Sequence, residues 1–250
     1  MKTLYATDAS AYREMPLGVA IPETKEDLEK IIRFADKQSI PLIPRTAGTS
    51  LAGQVVGKAL VVDVSKFFNR ILEVNKAESY VWVEPGVVRD VLNVELKKHG
   101  LFFGPETSTA NRAMIGGMLG NNSCGSNSVV YGSTRDHVLE IEGYLSDGTF
   151  VHFKEEDPFQ TVKSIPQGSR LHGIYDKTLA ALSDPKHQKN ITEEFPKPSI
   201  DRRNTGYAVD MLLHTKAFES TEAPFNFCSL LAGSEGTLCF AKIGRASCRE

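Results

Sequence analysis

Clustered metal ligands are missing from this 250-residue sequence. Its four cysteines, Cys124, Cys228, Cys239 and Cys248, include no CxxC pair. Its six histidines, His99, His137, His152, His172, His187 and His214, show neither HxH nor HExxH spacing. Zinc and iron–sulfur centres draw on such local clusters, so no metal is expected here. Scattered cysteines read as reduced thiols, which points to the cytoplasm. No apolar run approaches the length that crosses a bilayer, and "MKTLYATDAS" lacks the apolar centre of a secretory signal. A surplus of charge is absent too. Lys and Arg number 29 against 31 Asp and Glu, a net of -2, so neither nucleic acid nor an acidic membrane surface is an expected partner. No repeat, low-complexity tract or heptad is present.

What remains is an ordinary globular composition, 41% hydrophobic and 24% charged, long enough to bury a real core in one large domain or two small ones. "IPETKEDLEKIIRFADKQSI" (21–40) predicts a helix with Thr24 as N-cap, Glu26 and Asp27 in its first turn, and Leu28, Ile31, Ile32 and Ala35 on the buried face. "IPLIPR" (40–45) and "ALVVDVS" (59–65) are short apolar runs, the second a buried strand. "SYVWVEPGV" (79–87) alternates as a strand ending in a Pro85–Gly86 turn. "VRDVLNVELKKHG" (88–100) follows as a helix, with Val88, Val91, Leu92 and Leu96 inward and Gly100 as C-cap. "LEIEGYLSDGTFVHF" (139–153) is a hairpin with Asp-Gly turn chemistry. Helical stretches lie around 175–182, and 225–243 holds two apolar runs about a glycine turn. Mixed hairpins and crossovers predict an α+β fold.

Three segments are poor in side-chain bulk: "PRTAGTSLAG" (44–53), "IGGMLGNNSCGS" (115–126) and "GSEGTL" (233–238). Glycine costs backbone entropy on folding, so such segments serve either tight turns or a ligand brought against bare N–H groups. A cluster of small-residue amides favours an anion, phosphate above all. Two familiar phosphate motifs fail. "GQVVGKA" (53–59) is one residue short of a nucleoside-triphosphate loop and lacks Ser or Thr after Lys58. The spacing from Gly48 to Gly53 is not GxGxxG, and no amphipathic helix follows it. Three such turns, each at the end of an apolar run, are consistent with one long ligand threaded between two lobes, or with plain strand turns.

The ordered set "RTAGTSLAG", "VEPGV", "PETS", "IGGMLGNNSCGS", "YGSTRDHV", "NTGYAVD" and "AGSEGTL" resembles the FAD-linked oxidoreductases of the vanillyl-alcohol-oxidase, or PCMH-type, flavin fold. Among them the D-lactate, glycolate and D-2-hydroxyglutarate dehydrogenases look nearest, and the similarity runs from about residue 6 to 243. The resemblance implies two α/β subdomains, 1–70 and 71–243, with FAD between them and a polar insertion at about 154–224. It implies cofactor contacts from Arg45, Thr46, Ala47, Gly48, Thr49, Ser50 and Gly53 in the pyrophosphate loop. Pro85 and Gly86 match a turn beside the flavin. Pro105, Thr107, Gly116, Gly117, Asn121, Asn122 and Gly125 match the second stretch, Val138 the adenine side, and Glu235 and Gly236 the last contact.

Ala47 stands where the family loop usually has glycine, a change that left-handed backbone would disfavour and a methyl's size would permit. Relatives that link FAD covalently do so through a loop histidine. None occurs in 46–49, so FAD is expected to be noncovalent. The implied activity is hydride removal from a 2-hydroxy acid, with an electron acceptor and, in a longer enzyme, an iron–sulfur domain or subunit as further partners. Catalytic candidates are Arg202, Asn204, Tyr207 and His137, with Arg135 and Arg203 as carboxylate partners. His137 reads more readily as a hydrogen-bonded structural residue.

"GRASCRE" (244–250) is polar, charged and unlike a continuing strand, and is expected to be a tail foreign to the native sequence. Two readings compete with an active dehydrogenase. One is a flavin module inactive without a substrate domain; the other is the related NADPH-dependent cell-wall reductase, which would want its own substrate domain.

Overall fold

Thr24 starts the first long helix, α1 (Lys25–Lys37), through a capping box: its hydroxyl accepts from the Asp27 N–H, and the Asp27 carboxylate accepts from the Thr24 N–H. Leu28, Ile32 and Ala35 are buried as the helical spacing predicts, while Ile31 is half-buried. The structure is a computed structural model that describes residues 1–197, 199, 200, 202, 203 and 206–250. Helix α1 covers a parallel three-stranded sheet of β1 (Gly18–Ala20), β2 (Leu42–Arg45) and β3 (Leu60–Asp63), in the order β1-β3-β2. The continuous apolar run of β3 reflects its central place, with Val61 and Val62 wholly buried.

A second sheet is antiparallel: β4 (Ile71–Asn75), β5 (Tyr80–Val83), β6 (Val138–Tyr144), β7 (Phe150–Phe153) and β8 (Phe240–Ser247), ordered β4-β5-β8-β6-β7. The expected subdomain boundary at residue 70 falls between β3 and β4. Leu28, Ile32 and Val62 pack with Tyr144 and Phe240 of the second sheet, so one buried cluster joins the two halves.

Helix α2 (Arg89–Lys97) buries Leu92 and Leu96 but leaves Val91 58% exposed, which corrects the predicted inward face. Only two positions per two turns of this short helix meet the core. Lys98 takes the cap position, and Gly100 supplies the left-handed residue beyond it at φ +76. Helix α3 (Ile115–Asn121) packs Met118 into the same core as Val81, Leu92 and Leu96, and α4 (Ser128–Tyr131) ends with Tyr131 edge-on to Phe102.

Past Ile243 the polar sequence argued against a strand, yet β8 runs on to Ser247. Its backbone is bonded on both sides, Gly244 opposite Val83 and Ile141, Ala246 opposite Val81 and Val138. Ladder pairing does not depend on side-chain polarity, and the Arg245 charge is met by Glu140 and Glu78. The polar stretch 154–224 folds as α5 (Pro158–Ser164), α6 (Arg170–Ser183), α7 (Pro185–Glu194) and α8 (Val209–Leu213), and α9 (Cys228–Leu231) follows. Its sparse apolar residues are well used: Tyr175, Leu182, Leu212 and Leu213 pack with Ile141, Val151 and Phe153 in one core.

Candidate functional site

Loops from both halves converge on α3 because its exposed turns carry almost no side chain. A Cβ on Gly116 would lie 2.5 Å from Pro85 Cβ, and one on Gly117 2.9 Å from Thr46 Oγ1. One on Gly120 would lie 3.6 Å from Glu235 Cα. Backbone bonds exploit that closeness. The Gly116 N–H donates to the Pro85 carbonyl at 2.8 Å, and the Ile115 N–H to that of Val87 at 2.9 Å. At the other end, the N–H groups of Gly233 and Glu235 donate to the carbonyls of Leu119 and Gly120, each at 2.9 Å. A helix C-terminus leaves its last carbonyls without a partner one turn on, and these two take theirs from the later loop, Leu119 also accepting from the Asn122 N–H at 3.1 Å.

Asn122 ends α3 in the left-handed region (φ 49), its Oδ1 accepting from the Arg135 N–H at 2.8 Å and its Nδ2 donating to the Arg203 carbonyl at 3.2 Å. The Arg135 guanidinium, buried, donates to the carbonyls of Ser229 (2.9 Å), Ala232 (2.5 Å) and Gly206 (3.2 Å). It thereby clamps the segment leading into Gly233. Burial lowers its pKa, with Asp136 and Asp210 opposing that.

Between these loops lies a cavity of about 600 Å³, within the size range of ligand sites. Residues 44–52, 54 and 55 form one wall; 107–109, 116–121, 234–236 and 239–241 form the others. Among the described residues, the N–H groups of Thr46, Ala47, Gly48, Thr49 and Ser50 donate no hydrogen bond within the chain. Five consecutive residues that line a cavity and have unengaged amides form the kind of small-residue segment that suits an anion. Positive φ falls on Gly48 (65) and Gly53 (80), not on Ala47, so the alanine meets no left-handed strain.

Arg45 and Glu235 are the basic and acidic side chains of the wall. The Arg45 guanidinium donates to the Thr7 carbonyl at 3.0 Å and lies over the Tyr5 ring at 5.2 Å. Tyr5 in turn donates to Asp63 at 2.7 Å, and burial with that bond pushes its hydroxyl up to about 12. Glu235 adopts φ 52, and its Oε1 accepts from Asn121 Nδ2 at 3.1 Å and Gln54 Nε2 at 3.2 Å. Burial raises its pKa and those two bonds restrain the rise. The Cys239 thiol, also in the wall, is pushed by burial up to about 12.

Of the expected cofactor contacts, Arg45, Thr46, Ala47, Gly48, Thr49, Ser50, Pro85, Thr107, Gly116, Gly117, Asn121, Glu235 and Gly236 share this wall. Others stand behind it. Gly53 turns the loop where Tyr12 Cδ2 would come within 2.6 Å of a Cβ, and the Gly86 N–H donates to the Phe68 carbonyl at 2.7 Å. The Pro105 carbonyl accepts from Arg89 Nε at 3.1 Å. Asn122 is buried, and a Cβ on Gly125 would meet the Glu106 carbonyl oxygen at 2.6 Å. Val138 lines a separate apolar cleft of about 30 Å³ that shares Pro85, Gly116, Leu119 and Ile141 with the main cavity.

Among the described residues, the catalytic candidates do not line the cavity. Both ring nitrogens of buried His137 have partners: Nε2 lies 2.7 Å from the Tyr131 carbonyl, to which it can donate, and Nδ1 lies 3.3 Å from the Ser247 hydroxyl, from which it can accept, and 3.0 Å from the Ser247 carbonyl. Arg203 pairs with buried Asp210, and Arg202 is exposed. Tyr207 is exposed and shares a 2.6 Å hydrogen bond with Thr237 Oγ1. Asn204 lies outside the described residues. Sequence reasoning missed Gln54, whose only signal is its position directly after Gly53. Among the described residues no group of His, Cys, Asp and Glu could hold a metal ion.

Residues 16–154 match a family model described as FAD binding domain. D-2-hydroxyglutarate dehydrogenase of Pantoea ananatis is 38% identical over 244 residues, covering 96% of this chain and 23% of that protein. The mitochondrial D-lactate dehydrogenase (cytochrome) of Kluyveromyces lactis is 35% identical over 205 residues, covering 79% of this chain and 34% of that protein. The chain therefore spans roughly a quarter to a third of the length of these curated relatives. Among solved structures, alkyldihydroxyacetonephosphate synthase shares the fold with a TM-score of 0.58 at 16% identity, over 92% of this chain and 32% of its own.

Proposed function

The chain belongs to the FAD binding domain family, and from that premise we propose that it is the flavin-holding part of a dehydrogenase of 2-hydroxy acids such as D-2-hydroxyglutarate, D-lactate or glycolate. The observation that carries the reading is the row of unengaged amides at 46–50, open to a cavity that both halves enclose. Those residues fit a diphosphate: the N–H groups and the hydroxyls of Thr46, Thr49 and Ser50 could donate to it, and Gly48 adds no side chain there. Pro85, Thr107, Gly116 and Gly117 would present a small-residue face to the rest of the cofactor, and the resemblance would put Val138 towards adenine. The bound flavin supplies a hydride acceptor for the substrate carbon. FAD is held noncovalently in this reading, since the loop contains no histidine to link it.

The hydroxyl proton needs an acceptor. His137 has both nitrogens engaged, so we assign that acceptor, the carboxylate-binding groups and the route to an electron acceptor or iron–sulfur domain to the further length that the relatives possess. Free, buried thiols at Cys228 and Cys239 support a reducing, cytoplasmic setting. Among the described residues no helix is long and apolar enough to cross a membrane.

The test is spectroscopic. The purified chain should carry, or take up, FAD with a yellow flavin spectrum; D-2-hydroxyglutarate or D-lactate is then added without oxygen. Bleaching supports a dehydrogenase complete in this chain. Colour without bleaching favours the second reading, a flavin module that needs its remaining polypeptide, which the small share of the relatives covered favours. Failure to hold FAD refutes both.

A further inference from the structure

An acid beside an anion site needs an explanation, and Glu235 is such an acid. We propose that Glu235 is protonated whenever the cofactor diphosphate is bound, so that this chain takes up FAD together with a proton. The inference rests on the flavin reading above and adds a role for one side chain.

Glu235 and its neighbour touch both ends of the amide-rich loop. A Cβ on Gly236 would lie 3.0 Å from Pro44 Cγ at the start of that loop, and Gln54 Nε2, just past its end, donates to Glu235 Oε1 at 3.2 Å. The backbone keeps the carboxyl there. The Glu235 N–H is bonded to the Gly120 carbonyl at 2.9 Å, and the residue holds φ 52 between Gly233 at φ 89 and Gly236 at φ 75. A side chain fixed this way cannot retreat from an arriving anion by a simple loop shift.

The groups that face it do not offset its charge. The Gln54 amide reaches it from the first loop and the Asn121 amide from α3, while on its own loop the Thr237 hydroxyl donates to the Ser234 carbonyl instead. Arg45 is the cation of the wall, and its guanidinium is turned to the Thr7 carbonyl and the Tyr5 ring. Burial favours the neutral acid, and the two amide bonds favour the carboxylate. A diphosphate diester stays doubly ionised across the neutral range, and like charge in a low-dielectric site disfavours ionisation of a carboxyl further. Both amides donate to Oε1, while Oε2 makes no hydrogen bond among the described residues. A proton on Oε2 turns the repelling carboxylate into a donor beside the anion.

Calorimetric titration of the apo chain with FAD, in buffers that differ in ionisation enthalpy, counts the protons exchanged. Uptake approaching about one proton per FAD is expected above the free-chain pKa of Glu235, with affinity falling by up to about tenfold per pH unit where the linkage is complete. E235Q should bind FAD with that proton uptake removed. Q54L, which takes away one bond favouring the carboxylate, should move the wild-type pH profile upward. FAD binding with no proton uptake, or uptake unchanged in E235Q, overturns this proposal while leaving the cofactor reading intact. A chain that binds no FAD at any pH sinks the cofactor reading, and this proposal with it. Should E235Q fold poorly, the Q54L shift decides: a profile that does not move overturns the assignment.

Discussion

Replacing Gly116 by alanine sets two opposing effects of one methyl group against each other. Inside a helix, alanine is favoured over glycine by about 1 kcal/mol, because less backbone freedom is lost on folding. Here the methyl would stand 2.5 Å from Pro85 Cβ and 3.1 Å from both Pro85 Cα and its carbonyl oxygen. A proline ring and a backbone carbonyl cannot rotate aside, so α3 and the Pro85 turn must separate. Overpacking of this kind costs about 1–3 kcal/mol. Separation also strains the bonds from Gly116 to Pro85 and from Ile115 to Val87, each contributing about 1 kcal/mol when intact. The steric side wins by about 1–3 kcal/mol, and for a chain of this size that lowers the melting temperature by about 3–10 °C. Gly173→Ala is the control: nothing lies within 4 Å of its Cβ position in α6, so the same propensity gain acts alone. It should raise the melting temperature by about 2–4 °C. Thermal unfolding of the apo chain followed by circular dichroism measures both. A G116A protein that melts at or above wild type would refute the argument that this glycine exists for the approach of Pro85.

Gly117→Ala should be milder in stability, since its methyl meets only Thr46 Oγ1, at 2.9 Å, yet it displaces a hydroxyl of the anion loop. Fluorescence titration should show FAD bound more weakly by a few-fold or more, and unchanged affinity would contradict the placement of Thr46. Arg135→Lys replaces a fork that reaches the carbonyls of Ser229, Ala232 and Gly206 with one ammonium. Leaving buried carbonyls unpaired should destabilise the chain by about 2–4 kcal/mol in urea unfolding, and a loss below about 0.5 kcal/mol would refute the clamp. Burial raises the Cys228 thiol and pushes that of Cys239 from 9.0 up to about 12. Since thiolate is the reactive form, iodoacetamide at neutral pH should spare both until the chain unfolds, as mass spectrometry of peptides would reveal. The sign for stability follows. The fold prefers the neutral thiol, so the Cys239 contribution is complete below pH 9.0 and is lost as pH climbs towards about 12, because the unfolded chain ionises first.

Local features were the legible ones. Thr24 with Asp27 announced α1 through side-chain chemistry confined to one turn, and Asp147–Gly148 announced the β6–β7 turn likewise. The small-residue segments could be read as ligand-facing because glycine is costly unless backbone exposure is needed, and all three indeed border one cavity. Long-range pairings were not legible. Val91 has the right spacing for burial, but which side of α2 meets the sheet depends on elements distant in sequence. The polar stretch 154–224 hid a core because Tyr175, Leu182, Leu212 and Leu213 reach it from separate helices. Gln54 and Asn121 acquire meaning only from Glu235, which no periodicity links to either.

The place of β8 bears on how the polypeptide reaches its native form. Strands β4 and β5 make one ribbon and β6 and β7 another, and the strand that zips them together lies far downstream of both. Until it arrives during synthesis, β5 and β6 each present an open row of amides and carbonyls to the cell. Such a nascent intermediate depends on delayed, distant closure, which slows folding and invites mispairing between neighbouring ribosomes' products.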